Sequence, residues 1–146
     1  MAHVTKTVLV EFSSSQMFEL VDRVEDYPIF LPWCGGTELI RRDLLTTVAT
    51  IRIDFMGVKQ SFTTENQKAP PHEMQINLRE GPFTQMNGQW RFKPLGIGAC
   101  KIDFELKYSF SSSLLDAVLS PVFSHIANTF VDAFVHRAEE VYTNNE

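Results

Sequence analysis

The chain has 146 residues, with 13 Lys and Arg against 18 Asp and Glu, a formal net charge of −5, and 44% hydrophobic and 12% aromatic content. A chain of this length buries roughly 70% of its unfolded surface and needs no covalent staples, and its 12 Phe and 2 Trp exclude a disordered chain. Two cysteines, Cys34 and Cys100, exclude a disulfide scaffold and fit free thiols in a reducing compartment, while the net negative charge argues against a strongly basic nucleic-acid-binding surface.

The N-terminal segment alternates polar and apolar residues and lacks the continuous apolar core of a signal peptide. Val4, Val8, Val10 and Phe12 recur with period two, which predicts a strand over residues 3–12. Ser13 followed by Gln16 is a capping-box pattern. Met17, Leu20, Val21 and Val24 then recur at helical spacing, so the helix is predicted to end near Val24. Residues 25–36 hold two prolines among large apolar side chains, which predicts a short helical turn and then a compact loop packed onto the core.

From Thr37 to Phe110 the period is two nearly throughout. Residues 38–42 read as one strand, and Thr47, Ala49, Ile51, Ile53 and Phe55 form the apolar side of the next. Met56-Gly57 turns the chain into a strand carrying Val58, Gln60, Phe62 and Thr64, closed by Ala69-Pro70-Pro71. Met74, Ile76 and Leu78 mark another strand, ended by Glu80-Gly81-Pro82. The next places Met86, Gly88, Trp90 and Phe92 on one face and Asn87, Gln89, Arg91 and Lys93 on the other. After a hairpin connection, Cys100, Ile102, Phe104, Leu106, Tyr108 and Phe110 face inward, and Lys101, Asp103, Glu105 and Lys107 outward.

The pattern changes after Ser111. Ser113 with Asp116 predicts a short helix, and Ser120-Pro121 predicts a second helix start. Val122, Phe123, Ile126, Phe130, Ala133, Phe134 and Val141 then form a broad apolar stripe running to about Thr143. The charge-free run from Ala117 to Val131 is 15 residues, short of the roughly 18 apolar residues of a spanning helix. No transmembrane segment is predicted, and the expected location is cytoplasmic.

No repeat or linker divides the chain, so one domain is expected over residues 1–146. The element order predicts an α+β helix-grip fold, a curved antiparallel sheet of about seven strands wrapped on a long C-terminal helix. Such a layout leaves room for a cavity between helix and sheet. Met74, Met86, Trp90, Phe104, Phe123 and Phe130 are the residues expected to line it.

Patterns for catalysis and metal binding fail on spacing. There is no G-x-S-x-G elbow, H-E-x-x-H helix, Walker-type loop or C-x-x-C pair, and Gly96-x-Gly98 reads as a hairpin turn. His125 and His136 share a helix face, but about 16 Å of rise separates them, too far for one metal ion. Asp103 and Glu105 are flanked by Lys101 and Lys107 and read as a charge-balanced sheet surface. Cys34 has no neighbouring His or Lys and reads as an inert buried thiol. No catalytic residue or metal ligand is assigned, and no cofactor is required.

The segment Val24-Glu25-Asp26-Tyr27-Pro28-Ile29-Phe30-Leu31-Pro32-Trp33-Cys34 resembles a signature of one branch of the START-like superfamily. That branch holds the bacterial ribosome association toxin proteins and the coenzyme Q-binding proteins of the respiratory chain. Residues 57–66, the Gly81-Pro82-Phe83 turn, Gly88-x-Trp90-x-Phe92 and the helix text from Phe130 to Ala138 extend the resemblance over nearly the whole chain. It implies a helix-grip fold with a cavity suited to an apolar ligand, and two functions. In the first, the protein binds the large ribosomal subunit, through ribosomal RNA or ribosomal protein, and blocks subunit joining. A polyanionic partner calls for a positive patch, for which Arg91, Lys93, Lys101 and Lys107 are the candidates, against an ordinary mixed-charge sheet face. In the alternative, the protein binds ubiquinone or another polyprenyl lipid and supports respiratory electron transport. There Trp33 and its loop form a mouth with Tyr27 and Phe30 near the entrance, against a role in packing the loop onto the sheet. Many relatives carry a cyclase label, but no acid/base pair falls convincingly in the cavity, so the chain is not expected to be an enzyme.

Overall fold

The period-two segments form seven strands: β1 (Ala2–Val10), β2 (Cys34–Arg42), β3 (Thr46–Phe55), β4 (Val58–Ala69), β5 (Glu73–Glu80), β6 (Phe83–Pro94) and β7 (Cys100–Phe110). The helices are α1 (Ser14–Asp22), α2 (Tyr27–Phe30), which follows a 3-10 turn (Val24–Asp26), and α3 (Ser113–Thr143). This computed structural model describes residues 2–143, so Met1 and residues 144–146 of the expected domain lie outside the described residues.

Strands β2 to β7 pair in succession as a meander and β1 adds to β7, giving the order β1-β7-β6-β5-β4-β3-β2 with every pair antiparallel. Register shifts between Cys34 and Gly36, Leu39 and Arg41, Thr63 and Thr64, and Phe83 and Gln85 interrupt the ladders. Each such bulge bends its strand and increases the local twist, which curls the sheet around α3. At the β3–β4 hairpin Met56 and Gly57 take φ of 52° and 79°. A two-residue type I′ turn needs positive φ at both positions; Gly57 adopts it freely and Met56 does so under strain.

Two strand boundaries differ from expectation. β1 stops at Val10, leaving Glu11 and Phe12 to lead into the cap of α1. β2 starts at Cys34, inside the segment expected to be a loop, and Cys34 pairs with Ile53. A Cβ at Gly35 would lie 2.8 Å from Asp54 Cβ, so the glycine permits this close pairing. The capping box of α1 is present: Gln16 N donates to Ser13 Oγ at 3.1 Å, and Ser13 N to Gln16 Oε1 at 2.9 Å.

Where two helices were expected after Ser112, α3 is one. Ser112 caps it, with Leu115 N donating to its Oγ at 3.1 Å and Asp116 N to its carbonyl at 3.0 Å. Pro121 lies inside the helix and removes one backbone bond, a loss of about 3 kcal/mol. Leu119, Val122 and Phe123, buried on both sides of Pro121, hold the helix across that gap. An 18-residue window of α3 has a mean hydropathy of 1.3, so by length and composition the helix is apolar enough to cross a membrane, unlike the shorter charge-free run. In this fold it instead lies on the sheet, with Val122, Ile126, Val131, Phe134 and Ala138 recurring on the buried face.

The core sits between α3, α1 and the concave side of the sheet, where Met17, Met74, Trp90, Phe92, Ile102 and Phe134 are fully buried. Cys34 and Cys100 are buried, unpaired thiols, and burial pushes both pKa values up.

Candidate functional site

Sheet curvature keeps part of α3 away from the strands and leaves a cavity. Its sheet wall consists of Ile51 from β3, Phe62, Thr64 and Asn66 from β4, Met74 and Ile76 from β5, Met86 and Trp90 from β6, and Phe104 and Leu106 from β7. Phe123, Ile126, Ala127 and Phe130 of α3 form the opposite wall, and Val21, Val24, Tyr27 and Trp33 close one side. The volume open to the centres of water-sized molecules is about 60 Å³, room for a few waters. A ring bearing an alkyl chain needs the walls to move.

The aromatic side chains that line the cavity meet one another edge-on or tilted rather than face to face, as their quadrupoles favour. Trp90 lies 4.6 Å from Phe104 between ring centroids, and Phe130 lies 5.7 Å from each. Polar atoms concentrate on β4. Counting by twos along its concave face gives Phe62, Thr64, Asn66 and Lys68, all buried and increasingly polar along the strand. Asn66 Nδ2 points at Met74 Sδ, 3.6 Å away, and Asn66 Oδ1 is buried without a hydrogen-bond partner.

Lys68 ends this series in an ionic cluster. Lys68 Nζ lies 3.1 Å from Asp22 Oδ2, and Thr47 Oγ1 donates to Asp22 Oδ1 at 2.7 Å. The Arg42 guanidinium donates to both carboxylate oxygens of Glu25, at 2.8 and 2.6 Å, and to the Asp22 carbonyl at 2.6 Å. The hydrogen bond from Arg42 holds the Glu25 pKa down to about 2. The cluster ties the end of α1 and the 3-10 turn to β2, β3 and β4, and so fixes the position of Val21 and Val24 in the cavity wall.

Met74, Met86, Trp90, Phe104, Phe123 and Phe130 all face the cavity, together with Tyr27 and Trp33. Tyr27 and Trp33 are each 3% exposed, so they are wall residues rather than an open rim. The Tyr27 hydroxyl donates to the Val21 carbonyl, and burial pushes its phenol well above the ordinary range, so it stays neutral. Phe30 is not among the lining residues. It packs 5.3 Å from Phe134, with the Arg137 guanidinium 5.4 Å above its ring. Sequence reasoning missed Thr64 as a wall residue and Asn66 altogether, although extending the period of two from Phe62 reaches both.

Arg91, Lys93, Lys101 and Lys107 lie on the sheet face turned away from α3 and are not one uniform patch. Lys93 and Lys101 stand opposite each other across β6 and β7. Arg91 sits opposite Asp103 and 3.8 Å from Glu73, and Glu105 is 2.9 Å from His3 Nε2. His125 and His136 are both exposed, the first stacked on Phe55 at 5.3 Å. Among the described residues no group of three His, Cys, Asp or Glu side chains is placed to hold a metal ion. Tyr27 is the one titratable group among the lining residues.

Comparison with known proteins fits this geometry. A family model described as polyketide cyclase/dehydrase and lipid transport matches residues 10–135. A Pseudomonas aeruginosa protein named ribosome association toxin RatA is 37% identical over 96% of this chain and 97% of its own length. The coenzyme Q-binding protein COQ10 homolog B of Xenopus laevis, named as mitochondrial, is 27% identical over 97% of this chain and 60% of its own. Among solved structures, a START superfamily protein from Mycobacterium smegmatis superposes with a TM-score of 0.78 at 19% identity, covering 95% of this chain and 98% of that one. The Zhui aromatase/cyclase from a Streptomyces species gives 0.77 at 18%, covering 94% and 93%, and at that identity shares the fold alone. On the strength of the family model and of an end-to-end relative above a third identical, the chain belongs to the polyketide cyclase/dehydrase and lipid transport family, together with the proteins named ribosome association toxin RatA.

Proposed function

We propose that this protein acts in the cytoplasm as a ribosome association inhibitor, binding the large ribosomal subunit and blocking its joining to the small one. The observation that carries this reading is the end-to-end match to proteins named ribosome association toxins, at 36–37% identity over 96–98% of this chain. No chemistry is required of the protein, in keeping with a cavity whose walls are almost wholly apolar. The contact with ribosomal RNA is assigned to the outer face of β6 and β7. Lys93 and Lys101 are its centre, because they stand opposite each other across the two strands, although Asp103 lies 3.9 Å from Lys101 as Glu73 lies 3.8 Å from Arg91. The test is sucrose-gradient sedimentation of lysate during overproduction. Free subunits are expected to rise at the expense of joined ribosomes, with the protein in the large-subunit peak at low salt. An unchanged profile with no protein in that peak rejects the reading. Replacing Lys93 and Lys101 by Glu is expected to weaken the association and to flatten its salt dependence. Association unchanged in that variant rejects only this choice of surface.

A second reading, uptake of an apolar molecule such as ubiquinone or another polyprenyl lipid, is favoured by the cavity itself and by the match to a coenzyme Q-binding protein. Its test is native mass spectrometry of the purified protein together with titration by a short-chain quinone. Burial of apolar surface should then give a negative heat-capacity change with weak salt dependence. Absence of any bound apolar molecule in both measurements removes its support.

A further inference from the structure

We infer that Asn66 is a hydrogen-bond acceptor for a ligand's hydroxyl inside the apolar cavity, so that the cavity selects single-ring molecules carrying a donor, such as phenols and hydroquinols, over counterparts without one. The inference rests on the cavity being a binding site for an apolar molecule and adds to that reading the chemistry of the polar end.

The unpaired atom sets the direction of the bond. Asn66 is only 6% exposed and lines the cavity, and its Oδ1 has no partner. Met74 Sδ, 3.6 Å from the amide nitrogen, is an acceptor. It therefore keeps Nδ2 turned toward it and leaves Oδ1 for the cavity; the flipped amide would set oxygen against sulfur. An orphaned acceptor in an apolar enclosure is satisfied by a donor, and a quinone carbonyl, an ether or a hydrocarbon supplies none.

Neighbouring residues define what surrounds that donor. Asn66 is flanked on the concave face of β4 by Thr64 and Lys68, and Lys68 is held by Asp22. The polar end of the cavity is thus the end nearest the ionic cluster. Trp90, Phe104 and Phe130, with centroids 4.6–5.7 Å apart, offer edges and faces to one aromatic ring. The open volume of about 60 Å³ admits a ring only as the walls yield, and a fused system demands more movement than a single ring. A water molecule is the competing donor, since the open volume exceeds what one water needs.

Isothermal titration calorimetry of the full chain with 4-ethylphenol and 4-ethyltoluene tests the inference, because the two probes differ by a hydroxyl in place of a methyl group. The toluene is the more apolar and binds tighter wherever desolvation alone decides. With Asn66 as acceptor, the phenol is expected to bind the parent at least about tenfold tighter, and the order is expected to reverse in Asn66→Leu. Asn66→Val serves in its place if the leucine variant does not fold. Equal binding of the two probes to the parent, or tighter binding of the toluene, overturns the inference and leaves water as the partner of Asn66. A phenol preference that survives in the folded variant also overturns it, placing the acceptor elsewhere. If neither probe binds the parent, the reading of the cavity as a ligand site falls, and this inference with it.

Discussion

Lys68 Nζ lies 3.1 Å from Asp22 Oδ2 with the lysine side chain only 4% exposed, two residues beyond Asn66 on the same face of β4. The apolar cavity thus adjoins a buried ion pair. Removing one member of such a pair strands the other, whereas replacing both by apolar groups is often close to neutral. Asp22→Ala leaves Lys68 without its carboxylate and Thr47 without its acceptor, so a loss of about 3–5 kcal/mol is expected. Lys68→Met is expected to cost less, because Asp22 keeps Thr47 and Arg42. Urea denaturation of both variants and of the double variant checks the order.

Glu25 makes acid stability depend on Arg42. In the folded chain its pKa is lowered from 4.5 to about 2, chiefly by the Arg42 hydrogen bond. As pH falls, the unfolded chain takes up the proton first. The contribution is therefore complete above the unfolded value of 4.5 and is lost as pH falls toward about 2. Glu25→Gln should lower the urea midpoint near neutral pH, and the gap to the parent should narrow below about pH 4.5 and close only toward about pH 2. The difference between the two proteins isolates this carboxylate from the others. A gap that does not close on acidification removes the pair from the account of acid unfolding.

The strands were legible because apolar residues recur by twos over long stretches, and Met86, Trp90 and Phe104 fall on the cavity side by counting alone. The unity of α3 was not legible. Ser120-Pro121 is a sound local start signal, and only burial of Leu119, Val122 and Phe123 against the sheet overrides it. The start of β2 was hidden because Gly35 and Gly36 look like loop residues, although Gly35 is what admits the close approach of Asp54. Asn66 was missed for a related reason. Asparagine on a strand ordinarily faces water, and nothing in its local sequence marks it as the exception. Phe30 adjoins true wall residues in sequence, but its ring turns onto Phe134 and beneath Arg137.

Phe134 tests whether α3 must be seated for the fold to form. It is 0% exposed and lies 5.0–5.5 Å from the rings of Tyr27, Phe30, Trp90 and Phe130. A carboxylate there has no partner, and the lost packing adds to its desolvation, for a cost of about 4 kcal/mol or more. That is comparable with the roughly 5–15 kcal/mol stability of a typical domain. Phe134→Asp is expected to abolish the cooperative thermal transition, whereas Phe134→Leu should keep it at a lower midpoint. A melt of the aspartate variant that matches the parent would refute the placement of α3.

Filling the cavity separates the two functional readings. Ala127 lines it from α3 and is 4% exposed, so a larger side chain there enters the open space. Gly88 is a poorer position, because a Cβ would meet the Glu105 carbonyl oxygen at 3.0 Å and strain the β6–β7 ladder. Ala127→Leu is expected to cost about 1–3 kcal/mol at most, through overpacking, and to leave the protein folded. It should abolish measurable uptake of 4-ethylphenol. The outer face of β6 and β7 lies on the other side of the sheet and is untouched, so an inhibitor that acts through that face should still raise free subunits in the gradient. If the folded variant loses both activities together, ribosome association depends on the cavity or its ligand, and the outer-face assignment of Lys93 and Lys101 fails. If probe uptake survives, the probe binds outside the space that Ala127 borders.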